Sequence, residues 1–165
     1  MKAPAVDPGG GVPGDPQRSS GAPDQLTIAN EVDELHRVAA WLEQATAHFN
    51  WSPRTAFKLD LSLNEALPNI IHYAYTDQEP HHIHLRVEDR FEQVTLEICD
   101  DGVAFDPFAQ HRCADDSSLE TAAPGGRGIP LMVAFSDARE YQRIGQINRL
   151  RVVLGKDETG DRQYP

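Results

Sequence analysis

Three short segments in a fixed order constrain this chain more than any other feature: Glu65-Ala66-Leu67-Pro68-Asn69, then Asp100-Asp101-Gly102-Val103-Ala104-Phe105-Asp106-Pro107, then Gly125-Gly126-Arg127-Gly128-Ile129. In the first, a carboxylate and an amide stand four residues apart, which on a helix stacks them on one face. Such a pair can act as a base and a metal ligand. In the second, Asp100 ends an apolar run just before Gly102, where the backbone must turn sharply. A carboxylate placed there can accept an amine hydrogen. The third is a glycine cluster opening a helix, whose first N–H groups lack intrahelical partners and whose dipole favours an anion. Phosphate is the natural guest, and the three segments together describe a nucleotide site.

The elements around these segments follow from periodicity. Gln25-Leu26-Thr27-Ile28 predicts a short strand, with Asn30 as the cap of a helix on which Val32, Leu35, Val38, Ala39, Leu42 and Phe49 recur at helical spacing. Ser52-Pro53 is a second helix start, since proline at the first helical position gives up an N–H that has no partner there. That helix carries Phe57, Leu61, Leu67, Ile70 and Ile71 together with the Glu65–Asn69 pair. Pro68 sits inside it and removes the bond to the Asn64 carbonyl, a loss of about 3 kcal/mol in a helix interior. His82 to Val87 and Gln93 to Asp100 alternate apolar and polar residues around Glu88-Asp89-Arg90 and predict a hairpin, as do Arg139 to Ile144 and Asn148 to Leu154 around Gly145-Gln146. Between the hairpins, Phe108 to Pro124 reads as a long loop suited to a lid, and Gly128 to Phe135 as a helix that accommodates Pro130 in its first turn. The expected fold class is an α/β two-layer sandwich, a mixed and largely antiparallel sheet with helices on one face.

At 165 residues there is room for one domain of ordinary size. Residues 1–24 contain five prolines and five glycines and almost no large apolar side chain, the composition of a disordered tail. The domain is therefore placed at 25–155, with a flexible tail over 156–165. Fifteen Lys and Arg against 26 Asp and Glu give a formal charge of −11, which repels nucleic acid and anionic lipid. ATP is not excluded, because local amides and a cation act inside a screening length of about 8 Å. Cys99 and Cys113 make neither a disulfide framework nor a zinc ribbon. No apolar run reaches the roughly 18 residues of a membrane span, and no leader pattern follows Met1. The expectation is a cytoplasmic protein.

In their order and context, these segments resemble the GHKL superfamily, with its Bergerat or histidine-kinase-like ATPase fold, and within it the stand-alone bacterial anti-sigma-factor serine-protein kinases. The resemblance runs from about Gln25 to Leu154. It implies an ATP site with Mg²⁺ held by Asn69, and Glu65 as the catalytic residue that activates a partner's serine hydroxyl. It further implies that Asp100, Gly102 and Phe105 meet the nucleotide with Gly125, Gly126, Arg127, Gly128 and Ile129 of the phosphate loop. The implied partners are an anti-anti-sigma protein, a sigma factor, or both, with a homodimer as the common assembly. Tyr73 stands where such proteins often carry histidine before the Ala74-Tyr75 pair.

Each assignment has an ordinary counterpart. Glu65 also reads as a solvated helix residue and Asn69 as a local bond maker. Asp100 suits the exocyclic amine of adenine, where guanine would present a repelling carbonyl, and equally suits a turn cap at Gly102. Asp101 and Asp106 read as turn residues, and Arg127 is placed for a phosphate or for a protein partner. His81, His82 and His84 lack zinc-ligand spacing and read as a solvent-facing turn. Two further functions fit the same segments: an ATP-gated binding switch without transfer, and a detached histidine-kinase-type ATPase domain. For the latter, the first helix with His36 and His48 does not supply an obvious phosphoacceptor pair.

Overall fold

The computed structural model describes residues 23–109 and 128–156. The strands are β1 (Gln25–Ala29), β2 (His82–Asp89), β3 (Gln93–Asp100), β4 (Ala138–Ile144) and β5 (Ile147–Gly155); the helices are α1 (Leu35–Phe49), α2 (Pro53–Tyr73) and α3 (Gly128–Phe135). The strands form one sheet in the order β1-β2-β3-β5-β4, and all its pairings are antiparallel. The last hairpin is inserted so that β5, not β4, lies beside β3. This puts Asn148 opposite Asp100.

Strict alternation decides which face the helices cover. Ile83, Leu85 and Val87 of β2, Val94, Leu96 and Ile98 of β3, and Leu150, Val152 and Leu154 of β5 are buried on one side. They meet Val38, Trp41, Leu42 and Ala45 of α1 and Leu59, Leu63 and Leu67 of α2 in a single core. The opposite side carries His82, His84, Arg86, Glu97, Arg149 and Arg151, none of them fully buried. The two layers expected from the sequence are present, with helices on one face.

Helix α2 starts as predicted, with Ser52 Oγ accepting from Thr55 N at 3.1 Å and Pro53 in the first turn. It continues through Pro68 to Tyr73 without a break. Helix α1 ends where Asn50 takes the left-handed conformation (φ 52°), a short polar side chain being tolerated there. Its start differs from expectation. Asn30 does not cap it; a 3₁₀ turn (Val32–Glu34) comes first, and Asn30 instead pairs with His81, donating from its N–H to the His81 carbonyl and accepting the His81 N–H on Oδ1 at 3.0 Å. A residue 51 positions away won the side chain that local sequence assigned to a helix. In the β4–β5 turn, Gly145 has φ +60°, the conformation a two-residue hairpin needs at its first central position.

The domain's edges are held by backbone bonds. Val87 N donates to the Asp24 carbonyl at 2.8 Å, and Lys156 N to that of Glu92 at 2.8 Å. The tails expected at 1–24 and 156–165 lie outside the described residues except at these inner ends. The loop expected at Phe108 to Pro124 does so beyond its first two residues.

Candidate nucleotide site

The last residue of β3, Asp100, is 5% exposed although it carries a carboxylate. Its Oδ1 accepts from Gly102 N at 2.9 Å and from Asn148 Nδ2 at 2.8 Å. Among the described residues nothing donates to Oδ2, so half of a buried carboxylate is left as an acceptor. Burial pushes the Asp100 carboxyl above its ordinary value, against the pull of the bonds from Asn148 and Gly102. The turn-cap reading of Asp100 is thus realised through one oxygen while the other stays available.

Gly102 joins this strand end to α2. A Cβ there would stand 2.5 Å from Ala74 Cβ and 2.7 Å from the Ala74 carbonyl oxygen, so only glycine fits. The next residue, Val103, donates its N–H to that same carbonyl at 2.7 Å. The C-terminus of α2 and the turn after β3 therefore form one unit. Back along α2 from Ala74, Asn69 lies five residues and Glu65 nine residues away, about 7 and 13 Å of helix axis. The helix thus carries its carboxylate–amide pair away from Asp100 along a single rigid element.

Asn69 and Glu65 are both partly buried, and Asn69 Nδ2 donates to the Glu65 carbonyl at 2.7 Å. The bond commits the amide nitrogen to the helix and leaves Oδ1, a hard neutral oxygen of the kind Mg²⁺ accepts. This fits the metal role expected of Asn69. Helix α3 packs on α2, with the Phe135 ring edge-on to Phe57 at 6.3 Å, Met132 in the core and Ile129 against it. Gly128 opens that helix, whereas Gly125, Gly126 and Arg127 lie outside the described residues. Phe105 stands 61% exposed beyond Gly102. The described contacts thus join Asp100, Gly102 and the Glu65–Asn69 pair through α2, and α3, which Gly128 opens, packs on that same helix.

Several residues of the site were not anticipated from sequence. Asn148 is 5% exposed and makes five bonds: Nδ2 donates to Asp100 Oδ1 and to the carbonyls of Gly102 and Val103, while Oδ1 accepts from Tyr141 Oη and Arg143 Nη1, each at 2.8 Å. The one cue was an amide on the buried phase of β5, in line with Leu150, Val152 and Leu154. A second cluster adjoins it. His81 faces Asp101 through Nδ1 (3.0 Å) and Asp77 through Nε2 (2.9 Å), and these carboxylates hold its imidazole above the ordinary value. Its ring stacks on Tyr75 at 4.4 Å. Tyr75 Oη has no hydrogen-bond partner among the described residues, and burial, followed by the charges of Asp100 and Asp101, raises its phenol. Asp101 is thus an ion-pair partner as well as a turn residue. Asp106 makes the expected local turn, accepting from Phe108 N at 2.9 Å. Of the other histidines, His84 shares a hydrogen bond with Thr27 Oγ1.

Residues 28–154 match the histidine kinase-like ATPase domain family. The chain is 40% identical over 125 residues to the serine/threonine-protein kinase BtrW of Bordetella bronchiseptica, covering 76% of this chain and 85% of that protein. Among solved structures it is similar to the histidine kinase domain of the blue-light activated histidine kinase from Erythrobacter litoralis EL346, at 17% identity and a TM-score of 0.46. That match covers 71% of this chain, which spans 60% of the structure's chain.

Proposed function

The chain belongs to the histidine kinase-like ATPase domain family, and on that premise we propose that it is an ATP-dependent serine-protein kinase of the anti-sigma-factor type, acting in the cytoplasm. The observation that carries the reading is the half-committed carboxylate of Asp100, joined through Gly102 and Ala74 to the helix that bears Glu65 and Asn69. Adenine presents an amine to Asp100 Oδ2, and the triphosphate extends along α2 towards the glycine loop that ends at Gly128. A guanine carbonyl in the same place meets a carboxylate and is refused. The 40% identity to a serine/threonine-protein kinase supports transfer to a hydroxyl.

In this reading Glu65 takes the proton from a serine Oγ as the Oγ–Pγ bond forms and the bond from Pγ to the β–γ bridging oxygen breaks, leaving ADP and a phosphoserine. Positioning and charge stabilisation carry most of such a reaction, and the base contributes the smaller share. Mg²⁺, when bound beside the phosphates, supplies charge neutralisation there, and Asn69 Oδ1 is the ligand this chain offers it. The partner we propose is a protein of sigma-factor control, either an anti-anti-sigma protein that receives the phosphate or the sigma factor itself; the resemblance of the three segments supports it.

The test is Glu65→Gln, assayed with labelled ATP and a candidate anti-anti-sigma protein. ATP affinity stays, and transfer falls by roughly 10²-fold or more. A wild type that binds ATP and partner yet transfers nothing, with Glu65→Gln indistinguishable from it, would make ATP a conformational ligand and the protein a switch.

A further inference from the structure

We propose that Asn148 is the positioning residue for base selection: clamped by Tyr141 and Arg143, it holds Asp100 so that Oδ1 is occupied and Oδ2 is presented to the adenine amine. The inference rests on the reading above that Asp100 meets that amine.

A buried primary amide can face its neighbours in two ways, and here the surroundings choose one. Tyr141 Oη and Arg143 Nη1 both donate, so the amide oxygen must face them. The nitrogen then has to face Asp100 Oδ1 and the Gly102 and Val103 carbonyls, all of them acceptors. Reversing the amide would set donors against donors and leave a carboxylate oxygen without one of its two partners. The clamp is itself held from outside: Arg143 Nη1 also donates to the Gly102 carbonyl at 2.7 Å, and Nε to that of Gly145 at 3.2 Å.

The arrangement also links a cation to an anion without contact between them. The Arg143 guanidinium polarises the Asn148 amide, whose N–H end then meets Asp100, so a chain of charge-assisted bonds runs from β4 through β5 to the end of β3. Asp100 cannot rotate to offer its oxygens equally, because Gly102 N and Asn148 Nδ2 converge on one of them. A carboxylate fixed in this way presents a single acceptor in one direction. One acceptor in a fixed direction suits a single amine and disfavours a carbonyl.

The experiment is calorimetric titration of the full chain with MgATP and MgGTP, using Asn148→Ala, Asp100→Ala and the double variant. Asn148→Ala raises the Kd for ATP about tenfold, the scale of one lost bond to a charged group, and lowers the ATP-over-GTP preference by the same factor. Because Asn148 acts through Asp100, it costs nothing further in the Asp100→Ala background. A purely structural Asn148 would instead weaken both nucleotides alike, or add its full cost to that of Asp100→Ala; either result overturns the proposal. Should Asn148→Ala not fold, the double variant Tyr141→Phe with Arg143→Met frees the amide while keeping Asn148. Its preference for ATP falls several-fold, and an unchanged preference overturns the proposal. If Asp100→Ala itself leaves ATP affinity unchanged, the reading of the site has failed, a result distinct from Asn148 failing while Asp100 matters.

Discussion

Ala74 and Gly102 meet so closely that the helix of one and the turn of the other cannot move apart independently: a side chain on Gly102 would lie 2.5 Å from Ala74 Cβ. The Asp100 Oδ1 atom stands 2.9 Å from the same point. Gly102→Ala must therefore displace the α2 terminus, the carboxylate, or both, at a cost of about 1–3 kcal/mol. A melting temperature lower by several degrees and a weakened ATP titration are expected. A variant as stable as the wild type would mean that the α2–β3 junction is loose.

Pro68 interrupts the hydrogen-bond ladder of a helix that nevertheless runs unbroken from Pro53 to Tyr73. Packing of Leu63, Ala66 and Leu67 holds α2 together across the gap. Pro68→Ala restores an N–H for the Asn64 carbonyl and should raise stability by about 1–3 kcal/mol. ATP affinity should not change, because Asn69 and Glu65 already stand in helical register. Urea unfolding reads the first effect and calorimetry the second; a less stable variant would show that the proline ring contributes more through packing than it costs.

Both ring nitrogens of His81 face carboxylates, and only the doubly protonated imidazole can donate to both. Its folded-state pKa is raised, so the stability it contributes is fully present below about pH 6.5 and is lost as pH rises through the raised value. The wild-type melting temperature should fall across that window, and His81→Gln should remove that part of the dependence. His84, which burial holds below its ordinary value, acts in a lower window with opposite sign, its contribution being lost as pH falls. A wild-type profile that is flat above pH 6.5 would mean that the Asp77–His81–Asp101 cluster does not persist in solution.

Asn69 offers its Oδ1 because Nδ2 is committed to the Glu65 carbonyl. Chelating Mg²⁺ should weaken ATP binding to the wild type by about tenfold or more. Asn69→Ala should start near that chelated value and respond little to EDTA. Equal sensitivity of the two proteins to chelation would remove Asn69 as the ligand.

Much of the architecture was legible because its causes are local. The Ser52-Pro53 start, the two hairpins and the buried phase of β2, β3 and β5 depend on residues within a few positions of one another, where the 3.6- and 2-residue periods and the φ of proline and glycine act directly. Asn30 shows where that reasoning stops. Its preference for capping a helix is worth about 1 kcal/mol, and a paired contact with distant His81 outweighed it.

By itself, the sequence determined which groups the proposed site draws on: an acid and an amide one helical turn apart, a carboxylate at a strand end, and a glycine cluster ahead of a helix. Only the tertiary structure decided what those groups are free to do. Among the described residues one Asp100 oxygen is spent, because β5 enters beside β3 and brings Asn148 across 48 residues of chain, and the other has no donor; α2 meets the Asp100 turn because Gly102 has no side chain to keep Ala74 away. Hydrogen-bond satisfaction in a buried site is settled by whichever partner arrives in space, and separation along the chain carries no signal of it.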